Sequence, residues 1–568
     1  MSRDYSYLFD LYGEVHYDQY GKALRGGIRR GVRGMTSVTA YEAYSAGEDS
    51  VIIRNTCGGS RGDIVISNSP SELLDFLRYS SGQTVRIFWD LDESIAPVLK
   101  TFPTDILERL VAFDEDLTYC GNQLYYLPDR MFRVGRTRYY SIKHFWSTDE
   151  PPPESLAELQ TKADELNKTL SDCGMPDFSK LTSPIAIFEQ TELGKKYYAD
   201  IPKGYEIPED SYEAIQYASR CDRREWVSAY QIGGWSAGAI FDYDLSGAYP
   251  SCASDLLDLR EFEFWKSDVM GAKEQTACYG FLCGRLYLNP DAEYIHCSPI
   301  VNNTERLPGN PAGDFGDDYY LTLDELRFVA DNGLGEFTMS SGWFMSPREG
   351  SYPSRPFQPI MEYLYQKRGG SGLASSVMKG VANQFIGKLI ETRVDGSYGE
   401  IRNDIYHALI LARARIKVAQ FLMDNEVKPD ELVCVQTDGV RLTREITLLD
   451  HNGMGSWRCN GSSPTIVASP YKVYVDNKKP GHLTYEHIVQ MISDHPLSQY
   501  YGRSVKYRIT LRRAIQMEDI SLVGIEDDLP AHLDLNVIVR EQNRLFAKFP
   551  HTGQALINNK YQSKPIVL

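Results

Sequence analysis

The chain is poor in several signatures that would decide its class at once. Its ten cysteines are scattered and no two form a Cys-x-x-Cys pair, which argues against structural zinc and for reduced, mostly buried thiols. No apolar run approaches the ~18 residues needed to span a bilayer. The opening Met1-Ser2-Arg3-Asp4-Tyr5-Ser6 holds no apolar signal core, so the expectation is a cytoplasmic protein, in the host cytoplasm if viral. Neither an internal repeat nor a low-complexity segment is visible. Positive charge is also scarce. A net charge of -17 argues against a generally adhesive nucleic-acid binder. It leaves room for a local basic groove, because exposed charges are screened beyond ~10 Å at 0.1 M salt.

What is present is an ordinary globular composition, 42% hydrophobic and 24% charged, in 568 residues. That length exceeds one hydrophobic core and implies three or four domains. Residues 1–225 alternate apolar runs such as Val85-Arg86-Ile87-Phe88-Trp89 with helical stretches such as Ser71–Leu77, an α/β pattern. After Pro151-Pro152-Pro153 a helix is expected near 154–170. Thr322 with Glu325 three residues on reads as a capping box. Residues 358–390 read as two helices broken at Gly369-Gly370-Ser371-Gly372. A turn at Val394-Asp395-Gly396-Ser397 precedes a long helix from about 405 to 423.

Two short β-prone runs each deliver a carboxylate, some two hundred residues apart. Asp244 ends Ile240-Phe241-Asp242-Tyr243-Asp244, and Asp438 ends Leu432-Val433-Cys434-Val435-Gln436-Thr437-Asp438. Brought together by a sheet, two such groups can hold a pair of Mg²⁺ ions roughly 3.5–4 Å apart for phosphoryl transfer, with the Leu245 carbonyl as a further oxygen ligand. Strand alternation puts Asp242 on the face of Asp244. Between the aspartates, Lys379, Asn383 and Gly387 follow i, i+4, i+8 and share one helix face. A lysine there offers a compact charge to a phosphate, and Lys367 precedes it across the Gly-rich break. Two basic clusters stand out: Lys22, Arg25, Arg29, Arg30 and Arg33 in a Gly-rich stretch, and Arg503, Lys506, Arg508, Arg512 and Arg513 in a strand-like stretch read as a nucleic-acid groove.

These motifs, in this order, resemble a family-B DNA polymerase, closest to its compact protein-primed and primer-independent phage and plasmid branch. Asp244-Leu245-Ser246-Gly247-Ala248-Tyr249-Pro250 is similar to the first palm motif, Lys379–Gly387 to the fingers motif, Thr437-Asp438 to the second palm motif, and Lys472-Val473-Tyr474 to the Lys-x-Tyr primer motif. Tyr365-Gln366-Lys367, Ala414-Arg415 and Ser456-Trp457 fall in order at fitting spacing.

The resemblance implies an α/β (α+β) right-hand polymerase of palm, fingers and thumb behind an N-terminal ribonuclease-H-like 3′–5′ exonuclease-type domain. Its implied domains are 1–225 exonuclease-like, 226–355 first palm part with a terminal-protein-region-like insertion at about 275–350, 356–393 fingers, 394–475 second palm part, and 476–568 thumb and tail. It implies a nucleotidyltransferase using two Mg²⁺, with Mn²⁺ as substitute, that adds dNMP to a 3′ hydroxyl. Asp244, Leu245 and Asp438 would hold metal. Lys367 and Lys379 would neutralise the triphosphate, Tyr249 would exclude a 2′-hydroxyl, and Asn383 would shape the pocket. Lys472 and Tyr474 would place the primer end. The implied partners are template DNA, dNTPs, and a primer or a terminal or accessory replication protein, with no membrane, for a monomeric enzyme.

The departures are as informative. Gln436 replaces the first acid of the usual Asp-Thr-Asp, and Gln436-Thr437-Asp438-Gly439 is nearer the Lys-Thr-Asp-Gly of the primer-independent branch. Ile386 replaces the fingers tyrosine before Gly387. Only about thirty residues separate Asn383 from Arg415, which reduces the strand-displacement insertion to a hairpin. The exonuclease acids are displaced: the three motif regions read Asp10-Leu11-Tyr12, Asp90-Leu91-Asp92-Glu93-Ser94, and Tyr217–Cys221 with Asp222 one place late. The expectation is an inactive exonuclease and a polymerase able to initiate on a protein or de novo. The alternatives are a catalytically inactive polymerase-derived nucleic-acid-binding protein and a primase.

Overall fold

The computed structural model describes residues 9–10, 13–14, 37–46, 50–56, 64–79, 84–112, 114, 116–146, 150, 152–175, 183–208, 211–222, 225–231, 233–301, 312–368, 372–392, 397–448, 453–469, 472–475, 489–490, 501–517, 519–533, 537–539 and 562–564. The chain divides into two compact units, one of residues 1–195, 367–381 and 504–529, the other of 196–366, 382–503 and 530–568. The first basic cluster, Lys22 to Arg33, and the turn at 394–396 lie outside the described residues.

In the first unit, eight strands order as Ile64–Ser67, Ser50–Asn55, Ser37–Ala46, Thr84–Phe88, Thr137–Ser141, Met131–Val134, Asn122–Leu127 and Thr118–Tyr119. The first three pair antiparallel, then Ser37–Ala46 pairs parallel with Thr84–Phe88, and that strand parallel with Thr137–Ser141. Three antiparallel strands continued by parallel ones is the ribonuclease-H-like order. Its core gathers Tyr41, Phe88 and Tyr139, with the Tyr41 and Tyr139 rings edge-on at 5.0 Å. Helices Pro70–Tyr79 and Leu156–Asp172 stand where the apolar periodicity places them. Ser155 caps the second by accepting from the Glu158 amide, one of the orphan donors every helix start must satisfy.

In the second unit, one five-stranded sheet runs Val227–Ala229, Leu432–Gln436, Gly439–Leu442, Phe241–Leu245, Trp457–Gly461. Helix Asp404–Asp424 packs Val418, Ala419, Phe421 and Leu422 into the core that holds Tyr243, Val435, Val440 and Leu442. Phe421 stacks on Trp457 with centroids 3.9 Å apart. A second sheet is built on the long antiparallel pair Tyr279–Leu288 and Gly335–Pro347, flanked by Phe262–Ser267. Here Thr322 starts the helix Leu323–Asp331 as a capping box: its Oγ1 accepts from the Glu325 amide, and its own amide donates to the Glu325 carboxylate. That carboxylate also meets Arg415 at 2.7 Å, a pair in which both side chains are 1% exposed.

Candidate active site

The Phe241–Leu245 strand is an apolar–acidic alternation. Tyr243 and Leu245 are buried, and Asp242 and Asp244 take the opposite face. Its neighbour is supplied by a tight hairpin. Gln436 pairs with Gly439, so Thr437 and Asp438 are the two loop residues. Thr437 has φ of 62°, at the first loop position, where hairpins favour glycine. A β-branched residue in that region is strained by on the order of 1–3 kcal/mol. What holds it is the Thr437 amide donating to the Trp226 carbonyl at 2.7 Å and the Leu245 amide donating to the Asp438 carbonyl at 2.9 Å.

Asp244 lies opposite Gly439, and opposite Arg458 on the other side of its strand. The two candidate metal aspartates are thereby brought onto adjacent chain segments. Arg458 donates to Asp244 Oδ2 from Nε at 3.1 Å and from its terminal nitrogen at 2.6 Å. Two residues back along the strand, Arg441 is opposite Asp242, reaching its carboxylate at 3.5 Å and donating also to the Gln436 side chain. Burial pushes the Asp242 carboxyl above the ordinary range, against the pull of Arg441 and Asn460. Gln436 is thereby tied to an arginine.

After the strand, Gly247 has φ of 61° and opens the short helix Ala248–Ser254. A Cβ there would come within 3.3 Å of Met454 and 3.5 Å of the Tyr365 ring, so glycine suits both the conformation and the space. Tyr365 meets the Ser246 hydroxyl at 3.2 Å. Tyr249 is half-buried on this helix. Burial, reinforced by the carboxylates of Glu225 and Asp438, raises its phenol well above the usual range, so it stays neutral.

The other sequence-derived residues are placed as follows. Lys379, Asn383 and Gly387 are exposed along the helix Leu373–Lys388, while Ile386 is buried on it. Lys367 is exposed at the end of Gln358–Arg368. Lys367 and Lys379 belong to the first unit, and Asn383 and Gly387 to the second. Lys472 and Tyr474 lie on the strand Lys472–Val475, in register with Ser469 and Ile466. Arg503, Lys506 and Arg508 lie on the strand Tyr501–Arg508. The strand-like reading ends there. Arg512 and Arg513 are on the helix Leu511–Gln516, because Thr510 accepts from the Arg513 amide and starts a helix. Arg512 is ion-paired with Asp129 at 3.3 Å.

The displaced exonuclease acids are placed as follows. Asp10 is on a two-residue strand pairing Gly13–Glu14. Asp92 is buried, accepting from the Tyr126 hydroxyl at 2.5 Å and the Asp129 amide at 2.8 Å. Asp90 is paired with Lys143 at 2.7 Å. Asp222 belongs to the second unit, where both its oxygens meet His407 Nδ1 at 2.9 Å. The first strand of the ribonuclease-H-like sheet, Ser37–Ala46, carries Glu42 as its one acid.

Sequence reasoning missed Arg458 and Arg441. Both lie in polar–apolar strands that look unremarkable locally, and Arg458 reaches Asp244 across 214 residues of chain.

No protein-family model matches the chain, and no curated protein sequence is similar to it. Solved structures are. Phi29 DNA polymerase in complex with primer-template DNA and incoming nucleotide is matched over 87% of this chain and 98% of that one, at 13% identity and a TM-score of 0.50. The same polymerase in an orthorhombic crystal form is matched over 86% and 99%, at 14% identity and a TM-score of 0.52. The chain has the fold of phi29 DNA polymerase. The match spans 87% of this chain and 98% of the other, more than either compact unit alone contains. Among the described residues, no helix is long and apolar enough to cross a membrane.

The oxygen donors present suit the implied metal. Mg²⁺ keeps most of its waters and takes one or two protein carboxylates plus substrate phosphates, in place of an all-protein cage. Two aspartates on adjacent segments, next to the Leu245 carbonyl, match that demand. In this structure Asp244 is paired with Arg458.

Proposed function

We propose that this protein is a template-directed DNA polymerase that adds deoxynucleoside monophosphates to a 3′ hydroxyl and releases pyrophosphate. The observation that carries this reading is the juxtaposition of Asp244 and Asp438 by adjacent strands, within a chain folded like phi29 DNA polymerase. Two Mg²⁺ ions, when bound, supply activation of the attacking hydroxyl and charge stabilisation at the leaving group. Asp244 and Asp438 hold them, aided by the Leu245 carbonyl. Tyr249 presents a neutral, half-buried ring that feels the Asp438 charge, and excludes a 2′-hydroxyl. Lys367 and Lys379 serve as phosphate ligands, a role that rests on motif order, as do those of Asn383 in the nucleotide pocket and of Lys472 and Tyr474 at the primer end.

The enzyme acts without proofreading. Supporting this, Asp92, Asp90 and Asp222 are each engaged by Tyr126, Lys143 and His407 respectively. Gln436, tied to Arg441 where an acid is usual, supports initiation on a protein hydroxyl or de novo. A second reading, an inactive nucleic-acid-binding relative, draws on the occupation of Asp244 by Arg458.

The deciding assay is incorporation of labelled dNTPs with Mg²⁺ or Mn²⁺ on single-stranded template, with and without primer, beside Asp438→Asn. The expected outcome is product from the wild type, none from the variant, and equal template binding by both. Product without primer assigns initiation. A wild type silent in every lane, including lanes supplied with candidate priming proteins, would favour the inactive reading.

A further inference from the structure

The pair between Arg458 and Asp244 bears on how the site is loaded. Arg458 donates twice to one oxygen, Oδ2, of a carboxylate whose strand also faces Gly439 beside Asp438. A cation approaching Asp244 competes for the same lone pairs and is repelled by the guanidinium charge. Arg458 sits on Trp457–Gly461, an edge strand of its sheet, and its side chain is 49% exposed. It can therefore leave Asp244 without breaking the core. Asp242, the other carboxylate on that face, is already shared between Arg441 and Asn460, each at 3.5 Å. A departing Arg458 gains more from an anion arriving at the site than from Asp242. Polyphosphate oxygens, with which guanidinium makes paired hydrogen bonds, have that chemistry.

We propose that Arg458 is a gating residue that holds Asp244 closed to metal until a nucleoside triphosphate arrives and takes the guanidinium over. Metal and nucleotide then bind with positive coupling, because each relieves the same ion pair. Coupling of this kind is reciprocal: whatever factor nucleotide adds to metal affinity, metal adds to nucleotide affinity. The inference rests on the proposed metal site at Asp244 and Asp438 and adds a chain-specific control of its loading.

The test is Mn²⁺ binding to the full-length protein, followed by the loss of free-ion signal in electron paramagnetic resonance, with and without a non-hydrolysable deoxynucleoside triphosphate. Wild type, Arg458→Gln, Arg458→Lys and Asp244→Asn are compared, and melting temperatures check that each is folded. An exposed ion pair sets the scale, so Arg458→Gln is expected to bind Mn²⁺ roughly two- to fivefold more tightly than wild type without nucleotide. The gain on adding nucleotide should shrink by the same factor. Arg458→Lys keeps the charge and stays near wild type. A structural role alone would not make metal binding tighter. If Arg458→Gln binds Mn²⁺ equally or more weakly while Asp244→Asn abolishes binding, the gate is overturned and the metal site stands. If Asp244→Asn binds Mn²⁺ like wild type, the metal site itself is misassigned and the gate falls with it.

Discussion

The amide of Leu245 donates to the carbonyl of Asp438 at 2.9 Å, so main chain alone fastens the residue after one candidate metal ligand to the other. Side-chain chemistry at either aspartate can therefore be changed without loosening the pair. Asp244→Asn and Asp438→Asn are each expected to reduce nucleotide incorporation to background while melting temperature and template binding stay at wild-type values. Incorporation surviving in Asp438→Asn would place the chemistry elsewhere.

Tyr249 gives a test of sugar selection. Replacing it by valine removes the ring and keeps a hydrophobic side chain on the helix. The ratio of ribonucleotide to deoxynucleotide incorporation should rise by at least about tenfold, the equivalent of ~1.4 kcal/mol of discrimination. An unchanged ratio would make Tyr249 a packing residue only.

Thr437 is a β-branched residue at a φ of 62° in a two-residue loop. Glycine adopts that conformation without steric cost, and its lost chain entropy offsets only part of the relief. Thr437→Gly should therefore raise stability by about 1 kcal/mol, seen as a higher denaturant midpoint. Destabilisation would mean that the threonine side chain contributes more than its backbone strain costs.

Glu325 and Arg415 form a pair buried to 1% exposure on each side. Breaking one partner strands the other charge, so Arg415→Met should cost roughly 3–5 kcal/mol in chemical denaturation. Adding Glu325→Gln to Arg415→Met should recover a large part, since glutamine keeps an oxygen for the Thr322 amide. Additive losses would show that the two residues act independently.

Burial pushes the Asp92 carboxyl up to about 6, outweighing the hydrogen bonds from Tyr126 and Asp129. A raised carboxyl pKa means the folded state binds its proton more tightly than the unfolded state. Stability from this group is then complete below pH ~4 and is lost as pH climbs to about 6. Asp92→Asn retains the acceptor oxygen and removes the titration. Its advantage over wild type should be small at pH 4 and about 3 kcal/mol at pH 8, measured by denaturation at each pH. A pH-independent difference would refute this origin.

Much of the architecture was legible because it is written locally. The Thr322–Glu325 capping box, the break between Gln358–Arg368 and Leu373–Lys388, and the long helix Asp404–Asp424 all follow from spacing within a few residues. Asp244 and Asp438 were legible as strand-borne acids, and alternation alone put Asp242 beside Asp244. The hairpin was not. Asp438-Gly439 looks like the loop, whereas the loop is Thr437-Asp438 and Gly439 is already paired, because the left-handed position falls on a threonine. Arg458 and Arg441 were invisible for another reason. Their meaning comes from register between strands far apart in sequence, and register is decided by how whole faces bury. The same limit applies to Asp222, whose partner His407 lies 185 residues on.

The strand that bears Asp244 lies between Gly439–Leu442 and Trp457–Gly461, both made much later than itself. On the ribosome, between roughly 10 and 40 s pass after Asp244 is made before Asp438 exists. Throughout that interval the strand has two open edges and the apolar face of Tyr243 has no covering partner from them. The nascent chain is thus most exposed to mispairing at the element its chemistry depends on, so slower synthesis or early termination between these strands would be felt first as aggregation.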